Sequence, residues 1–417
     1  MSAPTVDEFR ERVRTWLAAH VPLKTANEPF LQCTPEGVAR DREIMRSLWE
    51  GRVFGATVPE EYGGLGLTAA HELAFREEAA DYRMPEVYGN AVNIAMPLLL
   101  TYGTEDQKRE YVGRILNGDH IWAQLLSEPS GGSDLAGALT RAERDGDEWV
   151  INGAKIWTTA GNFCDYGLCL ARTDPDVPKH AGLTMFILAM RSPGVSIQPL
   201  MLVDGDVDFC QEYLDDVRVP AGNVLGEVNN GWQVATTLMV NERSAIGRGW
   251  SLGGSRSDGT EAGIVLSTAM LDDARSAGRD QDPHVRALIG EAWVLTAVQG
   301  LASRRVSAAI RTGELPGQAA AILKAMVGYT SLRVGEVGLE VGGTRSVAWR
   351  PSAASPYGVR RLTSQNIGGG TTEMQLNGVA ERLLGLPREP SNDRTVPFNQ
   401  LRHNTMTATP ARPGGGA

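Results

Sequence analysis

The hydrophobic pattern of this chain changes its period twice along 417 residues. Up to about residue 120, apolar residues recur at helical spacing, as in FRERVRTWL and EDQKREYVGRIL. Between residues 121 and 230 the pattern changes to short runs typical of strands, such as LTMFILAM and FCQEYLDDVRVP. Helical spacing returns over residues 231–390, as in QAAAILKAMVGYTSLRVGEVGLEV. The sequence therefore predicts an α+β protein with an N-terminal helical domain (1–120), a central barrel or sandwich (121–230) and a C-terminal helical domain (231–390). Residues 391–417 end in ARPGGGA and are predicted to be a disordered tail.

The segment from Leu125 to Gly161 has the most unusual local pattern. Its stretch SEPSGGSD contains a proline and two glycines, and such a loop can press backbone amides against a ligand. Downstream, EWVI, NG and AKIWTT predict a strand, a tight turn and a second strand, which together form a hairpin. Alternation with period two places Trp157 and Thr159 on one face of the second strand. Each piece alone is also typical of an ordinary surface loop or hairpin, but their succession favours a functional interpretation.

Composition and charge exclude several classes of protein. The formal net charge of -10 argues against a nucleic-acid-binding protein, which would carry a basic stripe. We expect no membrane insertion, because no uninterrupted apolar run reaches the roughly 18 residues of a spanning helix. The N-terminal segment is charged and lacks the apolar core of a signal peptide, so a cytoplasmic location is expected. The 4 cysteines and 6 histidines show no metal-binding spacing, which predicts free thiols and no metal site.

Several phrases resemble the acyl-CoA dehydrogenase family, including its actinobacterial branch, over the chain up to about residue 390. They are LLSEPSGGSD with INGAKIWTTAG, VPEEYGG from Val58, YGTEDQK from Tyr102, IGGGTTE from Ile367 and LGLPR from Leu384. The resemblance implies that family's fold, with a helical domain, a β domain and a C-terminal four-helix bundle, and it implies FAD as cofactor. The positions it assigns to FAD are Leu126, Ser127, Trp157 and Thr159 around the isoalloxazine ring, and Arg275, Gly342, Gly343, Thr371 and Glu373 around the remainder. Ser133 matches a position that contacts the thioester-bearing arm; taken alone, it is more typical of a helix or turn cap.

The resemblance also bears on the catalytic base. Many family members carry a catalytic Glu at the position of Gly369, which here has no side chain; the resemblance implies that Gly369 lies at the substrate site. The isovaleryl and long-chain branches instead carry the Glu on a central helix, in a phrase that MVNER resembles. The resemblance therefore implies Glu242 as the catalytic base and Arg243 as a substrate-binding residue. The implied reaction is α,β-dehydrogenation of an acyl-CoA to a trans-2-enoyl-CoA, with electron-transfer flavoprotein as the electron acceptor. The alternative is that Glu242 and Arg243 form a solvated surface pair.

Three departures from the family pattern concern substrate and cofactor contacts. Val240 replaces an Asp of the central phrase, and Leu339 replaces a Gln before the double glycine. The Arg-x-x-Phe-Gly phrase becomes RSAGRD, which lacks the Phe but in which Arg275 or Arg279 could supply the charge. The last two changes fall on the half of the FAD site that a neighbouring subunit supplies in the family. We therefore expect an oligomer, either of identical chains or with a homologous subunit, as in actinobacterial heterotetramers acting on steroid side-chain thioesters. Two other functions remain open, a half-site or non-catalytic partner subunit and a flavin oxidase or monooxygenase on the same scaffold.

Overall fold

The computed structural model describes residues 3–24, 33–202, 207–247, 252, 269–347, 366–388, 390–391 and 393–401. Most of the Gly/Ser-rich stretch from Ser251 to Thr260 noted in the sequence lies outside them. The order of elements is helices, then strands, then helices, which confirms the predicted fold class and its three parts.

The N-terminal domain is helical and packs around a buried apolar core. A Thr–Glu capping box starts the first helix, because Thr5 and Glu8 satisfy each other's free backbone amides. The domain joins the strands through buried Gln107, whose Nε2 donates to the carbonyls of Gly222 and Val224 at 2.7 and 2.8 Å. Its helices are α1 (Val6–His20), α2 (Pro35–Glu50), α3 (Ala69–Glu78), α4 (Met96–Tyr102, preceded by a π turn at Ala91–Ala95) and α5 (Glu105–Leu116).

The central domain is one seven-stranded sheet in the order β1-β4-β2-β3-β7-β6, with β5 paired to β4. Strands β4 and β5 are almost wholly buried, as their continuous apolar runs predict. The strands are β1 (Trp122–Leu125), β2 (Arg141–Asp145), β3 (Glu148–Thr159), β4 (Tyr166–Arg172), β5 (Leu183–Ala189), β6 (Val195–Leu200) and β7 (Phe209–Pro220).

The predicted hairpin turn at Asn152-Gly153 is wrong, because β3 runs through it as one strand. The irregularity is a bulge: the pairing with β7 shifts register between Ile151 and Gly153. A Cβ at Gly153 would lie 2.4 Å from Thr140 Oγ1, so close packing of β2 requires glycine there. Asn152 and Asp216 fasten the bulge across the two strands with two hydrogen bonds of 3.0 Å. The true hairpin joins β2 to β3 at Gly146.

The C-terminal domain consists of helices packed around α9. Its helices are α6 (Gly231–Gly247), α7 (Ala269–Ser276), α8 (Pro283–Arg311), α9 (Ala320–Gly342), α10 (Thr344–Val347) and α11 (Thr372–Arg382). Helix α8 is, within the described ranges, the one helix long and apolar enough to span a membrane by length and composition. Its apolar run is interrupted by Glu291, whose carboxylate binds Arg333 of α9 at 2.7 Å.

The predicted disordered tail is corrected for residues 393–401, which fold back onto the central domain. Pro397 pairs with Pro178, and Phe398 is buried. Apolar packing of Phe398 outweighs the local preference of this polar, proline-containing segment for disorder. Residues 402–417 lie outside the described residues.

Candidate active site

Four residues predicted to hold a flavin ring come together where β1 ends. Leu126 and Ser127 follow β1 directly, and the Ser127 carbonyl accepts from the Ile156 amide at 2.9 Å, which brings β3 alongside with Trp157 and Thr159. Within the described part of the chain, the hydroxyls of Ser127 and Thr159 and the indole N–H of Trp157 make no hydrogen bond. We call these four residues the ring cluster. It offers polar groups and one aromatic face, which suits a flat heteroaromatic ligand.

Trp157 owes its position to a second bulge in β3. The pairing with β7 shifts between Ile156 and Thr158, and Trp157 adopts a left-handed backbone with φ of 67°. This conformation is costly for a residue with a large side chain, by about 1–3 kcal/mol, and clusters at functional sites. It leaves the indole 56% exposed, with an edge contact to Phe209. An exposed Trp on a strained bulge is consistent with a ligand-covering role.

A buried ion pair supports the ring cluster from behind. The Lys155 ammonium is fully buried and binds Glu128 Oε1 at 2.9 Å and the Leu126 carbonyl at 3.1 Å. Glu128 also accepts from the backbone amides of Leu139 and Thr140 at 2.6 and 2.9 Å. Burial raises the pKa of Glu128, but Lys155 and these donors outweigh it and leave the pKa lowered. The pair therefore fixes both ends of the loop that begins at Leu126.

A second buried acid lies beside this pair. Glu212 on β7 is fully buried, faces Lys155 in the register, and accepts from Thr158 Oγ1 at 2.6 Å. Its other oxygen has no hydrogen-bond partner among the described residues. Burial raises the pKa of Glu212 to about 7, against an ordinary value of 4.5. The bond to Thr158 holds the residue that follows Trp157 in the bulge.

We expect Glu212 to make stability fall as pH rises. The folded state keeps the proton up to about pH 7 whereas the unfolded chain loses it near pH 4.5, so folding loses stability through this window. At about 1.4 kcal/mol per pH unit, the total is about 3 kcal/mol. Denaturant unfolding at pH 4, 5, 6, 7 and 8 should show wild type losing this amount relative to E212Q. Parallel pH curves for wild type and E212Q would contradict the expectation, and the exposed-site variant E143Q serves as control.

The candidate base lies on α6, facing β1. Glu242 is half-buried, and its Oε1 accepts from Gln124 Nε2 at 3.2 Å. The interpretation of Glu242 and Arg243 as a solvated surface pair is therefore wrong. Gln124 was missed by sequence reasoning, although a polar residue inside the apolar strand WAQLL was an available signal. Because Gln124 stands two residues before Leu126, one strand connects the base to the ring cluster.

Charges around Glu242 oppose the effect of its burial. Burial raises its pKa, while the hydrogen bond from Gln124 and the positive charges of Arg243 and Lys324 act to lower it. Lys324, on α9, is buried and was also missed by sequence reasoning. Gln124 Oε1 and Arg243 Nε are buried and have no hydrogen-bond partner within the described ranges. The arrangement provides a carboxylate of raised basicity with unused polar atoms beside it, which suits proton abstraction.

The other predicted residues lie outside these two groups. Ser133 is exposed in the loop after the ring cluster, and Gly369 is half-buried with a left-handed φ of 70°. Thr371 caps α11 by accepting from the Met374 amide, and Glu373 is exposed in the first turn of that helix.

The predicted glycine pair lies at the end of α9. The residue that contacts this region is Arg279, which donates to the carbonyls of Glu340 and Val341 at 2.7 and 3.2 Å. Arg275 instead binds Asp272 within its own helix, at 3.1 Å, and no contact joins it to Gly342 or Gly343 in the described part of the chain.

Comparisons with known proteins identify the same family in all three parts of the chain. Family models for the N-terminal, middle and C-terminal domains of acyl-CoA dehydrogenase match residues 4–119, 123–217 and 229–384. Acyl-CoA dehydrogenase IpdE1 of Mycobacterium tuberculosis is 34% identical over 404 residues, covering 92% of this chain and 98% of that protein. The solved Tcur3481-Tcur3483 steroid ACAD is 30% identical with a TM-score of 0.73, covering 93% of this chain and 100% of the other. The ChsE4-ChsE5 complex from M. tuberculosis is 26% identical with a TM-score of 0.65, covering 93% and 99%.

Proposed function

Because the chain belongs to the acyl-CoA dehydrogenase family, we propose that it oxidises a specific acyl-CoA thioester with Glu242 as the base. The protein is an oxidoreductase that uses FAD, as the members of this family do. The observation that carries the assignment of Glu242 is its hydrogen bond with Gln124, on the strand that leads into the ring cluster. This contact supports a shared site for base and cofactor, and it favours a catalytic subunit over a non-catalytic partner.

The ring cluster fits the isoalloxazine ring of FAD. The backbone at Leu126, with the hydroxyls of Ser127 and Thr159, would hold the polar edge of the ring, and the exposed indole of Trp157 would cover its apolar part. When bound, FAD accepts the β-hydrogen together with its electron pair. The buried Lys155–Glu128 pair keeps the loop in place before the cofactor binds, so little ordering is needed on binding.

Glu242 acts in its ionised form. A carboxylate oxygen takes the proton from the α-carbon, and the electron pair of that C–H bond becomes the second bond between the α- and β-carbons as the β-hydrogen leaves. Burial strengthens the carboxylate as a base by raising its pKa. The hydrogen bond from Gln124 and the positive charges of Arg243 and Lys324 act against this rise and favour the ionised form. The product is a trans-2-enoyl-CoA.

We further propose a steroid-derived thioester as substrate and a homologous subunit as partner. The substrate proposal draws on the likeness to the steroid ACAD, and the partner proposal also on the ChsE4-ChsE5 complex. The chain itself exposes an apolar stripe on α8, formed by Trp293, Val294, Val298 and Leu301, each 47–53% exposed. A contiguous stripe of this kind marks an interaction surface. Arg279 donates to a carbonyl of α9, so its charge is already engaged. We therefore propose that a partner subunit supplies the contacts to FAD that the altered RSAGRD phrase lacks. Electron-transfer flavoprotein is the proposed electron acceptor.

A panel of CoA thioesters tests the reaction and the substrate. Straight-chain, branched and steroid side-chain thioesters are mixed anaerobically with the flavoprotein, and loss of flavin absorbance is followed in time. We expect the steroid side-chain thioester to reduce the flavin fastest. Equal rates with straight-chain thioesters would overturn the substrate proposal, and no reduction by any thioester would overturn the reaction. Oxygen uptake during turnover would instead indicate an oxidase.

Co-purification tests the partner. The chain is produced alone and together with a homologous acyl-CoA dehydrogenase subunit, and mass and FAD content are measured for each preparation. We expect FAD well below one per chain in the first preparation and full occupancy in the second. A tetramer of this chain alone with one FAD per subunit would overturn the partner proposal while leaving the reaction intact.

A further inference from the structure

Residues 393–401, which we call the C-terminal arm, attach to the loop between β4 and β5. The amides of Phe398 and Asn399 donate to the carbonyls of Val177 and Pro175 at 2.9 and 3.0 Å. Asn399 also donates from its side chain to Asp176, which fixes the same loop a second time. The arm therefore belongs to the central domain in space, although it follows the C-terminal helices in sequence.

The buried ring of Phe398 covers a buried cation. The guanidinium carbon of Arg172 lies 3.4 Å from the centre of the Phe398 ring, close enough for a cation–π contact. The three guanidinium nitrogens of Arg172 donate to the carbonyls of Ala136, Ala138 and Lys179 at 2.6, 3.2 and 3.1 Å. Burial lowers the pKa of Arg172 to about 10, so it remains charged at neutral pH. Arg172 thus links the arm to the backbone at Ala136 and Ala138, just after Ser133.

A second cation links the arm to the same loop. The Lys179 ammonium is mostly buried and binds Asp134 at 2.8 Å and Asp393 at 2.5 Å. Asp134 is the neighbour of Ser133, and its carbonyl accepts from the Gly137 amide at 2.8 Å. The segment 134–138 is thus held by two buried cations, and each of them is contacted by the arm.

We propose that the C-terminal arm positions the Ser133–Ala138 loop for binding the thioester-bearing chain of the substrate. This inference rests on the proposed function, because that function assigns Ser133 to the substrate. The arm contacts neither Glu242 nor the ring cluster within the described residues, so it acts on binding and not on the chemical step. Holding the loop before substrate arrives removes an ordering cost that binding otherwise carries. Asp393 and Phe398 are its positioning residues.

Point variants of the full chain test the proposal. In the D393N/F398L variant we expect the KM for the acyl-CoA, and the Kd of a non-reactive thioether analogue, to rise about tenfold. The kcat and the FAD content should stay within about twofold, because base and ring cluster are untouched. The single variant F398L should raise KM about threefold. The single variant F398Y keeps an aromatic ring over Arg172 and should retain the wild-type KM. Q400A, on the exposed side of the arm, is the matched control.

Hydrogen exchange of segment 134–138 separates this inference from the proposed function. We expect D393N/F398L to exchange the Gly137 and Ala138 amides faster than wild type and Q400A do. If the Gly137 and Ala138 amides exchange faster in D393N/F398L but no thioester reduces the flavin of the wild-type protein, the arm's contact with the loop is supported and only the proposed function is overturned. Unchanged exchange and unchanged KM in D393N/F398L would overturn the inference. A fall in kcat together with loss of FAD would also overturn it, because the arm would then be a general structural support.

Discussion

Replacing Glu242 with glutamine is expected to slow substrate-driven flavin reduction by at least about 10³-fold while FAD remains bound. Glutamine keeps the shape of the side chain and can still accept the hydrogen bond from Gln124, which is 3.2 Å long in the native site. It cannot take up a proton, so the loss reports the base alone. Stopped-flow absorbance of the flavin, with FAD content determined on the same sample, measures both quantities. The matched control is E110Q, which replaces an exposed carboxylate paired with Arg114 on α5 and should reduce the flavin as fast as wild type does.

The pH dependence of kcat/KM offers a check on the same residue. Because burial raises the pKa of Glu242, activity should rise with pH through a value above the ordinary 4.5. An undiminished reduction rate in E242Q would place the base elsewhere. Gly369 cannot be that alternative base, because it has no side chain.

Replacing Lys155 with methionine is expected to cost about 3–5 kcal/mol of stability and to release FAD. The substitution leaves Glu128 buried without its cation, and it removes the donor that fixes the Leu126 carbonyl. Denaturant unfolding and flavin fluorescence of the released cofactor measure the two effects. The variant R109M removes an exposed pair with Glu105 and should cost less than about 1 kcal/mol.

The double variant K155M/E128Q distinguishes charge from packing. Glutamine removes the unpaired charge, and it can still accept a hydrogen bond from the Thr140 amide, so we expect part of the stability to return. If the double variant were no more stable than K155M, the cost would come from lost packing of the lysine stem. Stability equal to wild type in K155M would contradict the role of the pair altogether.

The sequence predicted β4 and β5 well because their apolar runs are continuous and end at turn residues. It failed at Asn152-Gly153, where the same dipeptide suits a tight turn or a bulge. The choice between them is made by β7, which pairs with β3 on both sides of the dipeptide. A partner strand some 60 residues away in sequence is not visible in local turn chemistry.

The candidate site divides in a similar way. Glu242, Ser127, Trp157 and Thr159 could be predicted because they stand in recognisable phrases. Lys324 could not, and Gln124 stood out only as a polar residue in an apolar run, since the significance of both depends on contacts with α6, far away in sequence. The docking of residues 393–401 depends on Arg172 and Lys179 in the same way, and composition alone favours disorder there.

Strand β1 also determines how this protein can be engineered. A slip of one residue against β4 would turn Gln124 away from Glu242 and displace the start of the ring-cluster loop in the same step. Any insertion or deletion within residues 122–127 should therefore abolish activity. Helices α4 and α6 contact each other outside this strand pairing, so substitutions on them at positions other than Glu242 and Arg243 should leave the register of β1 unchanged. Libraries aimed at new substrates are best confined to those two helices, with the strand left as the fixed reference between base and cofactor.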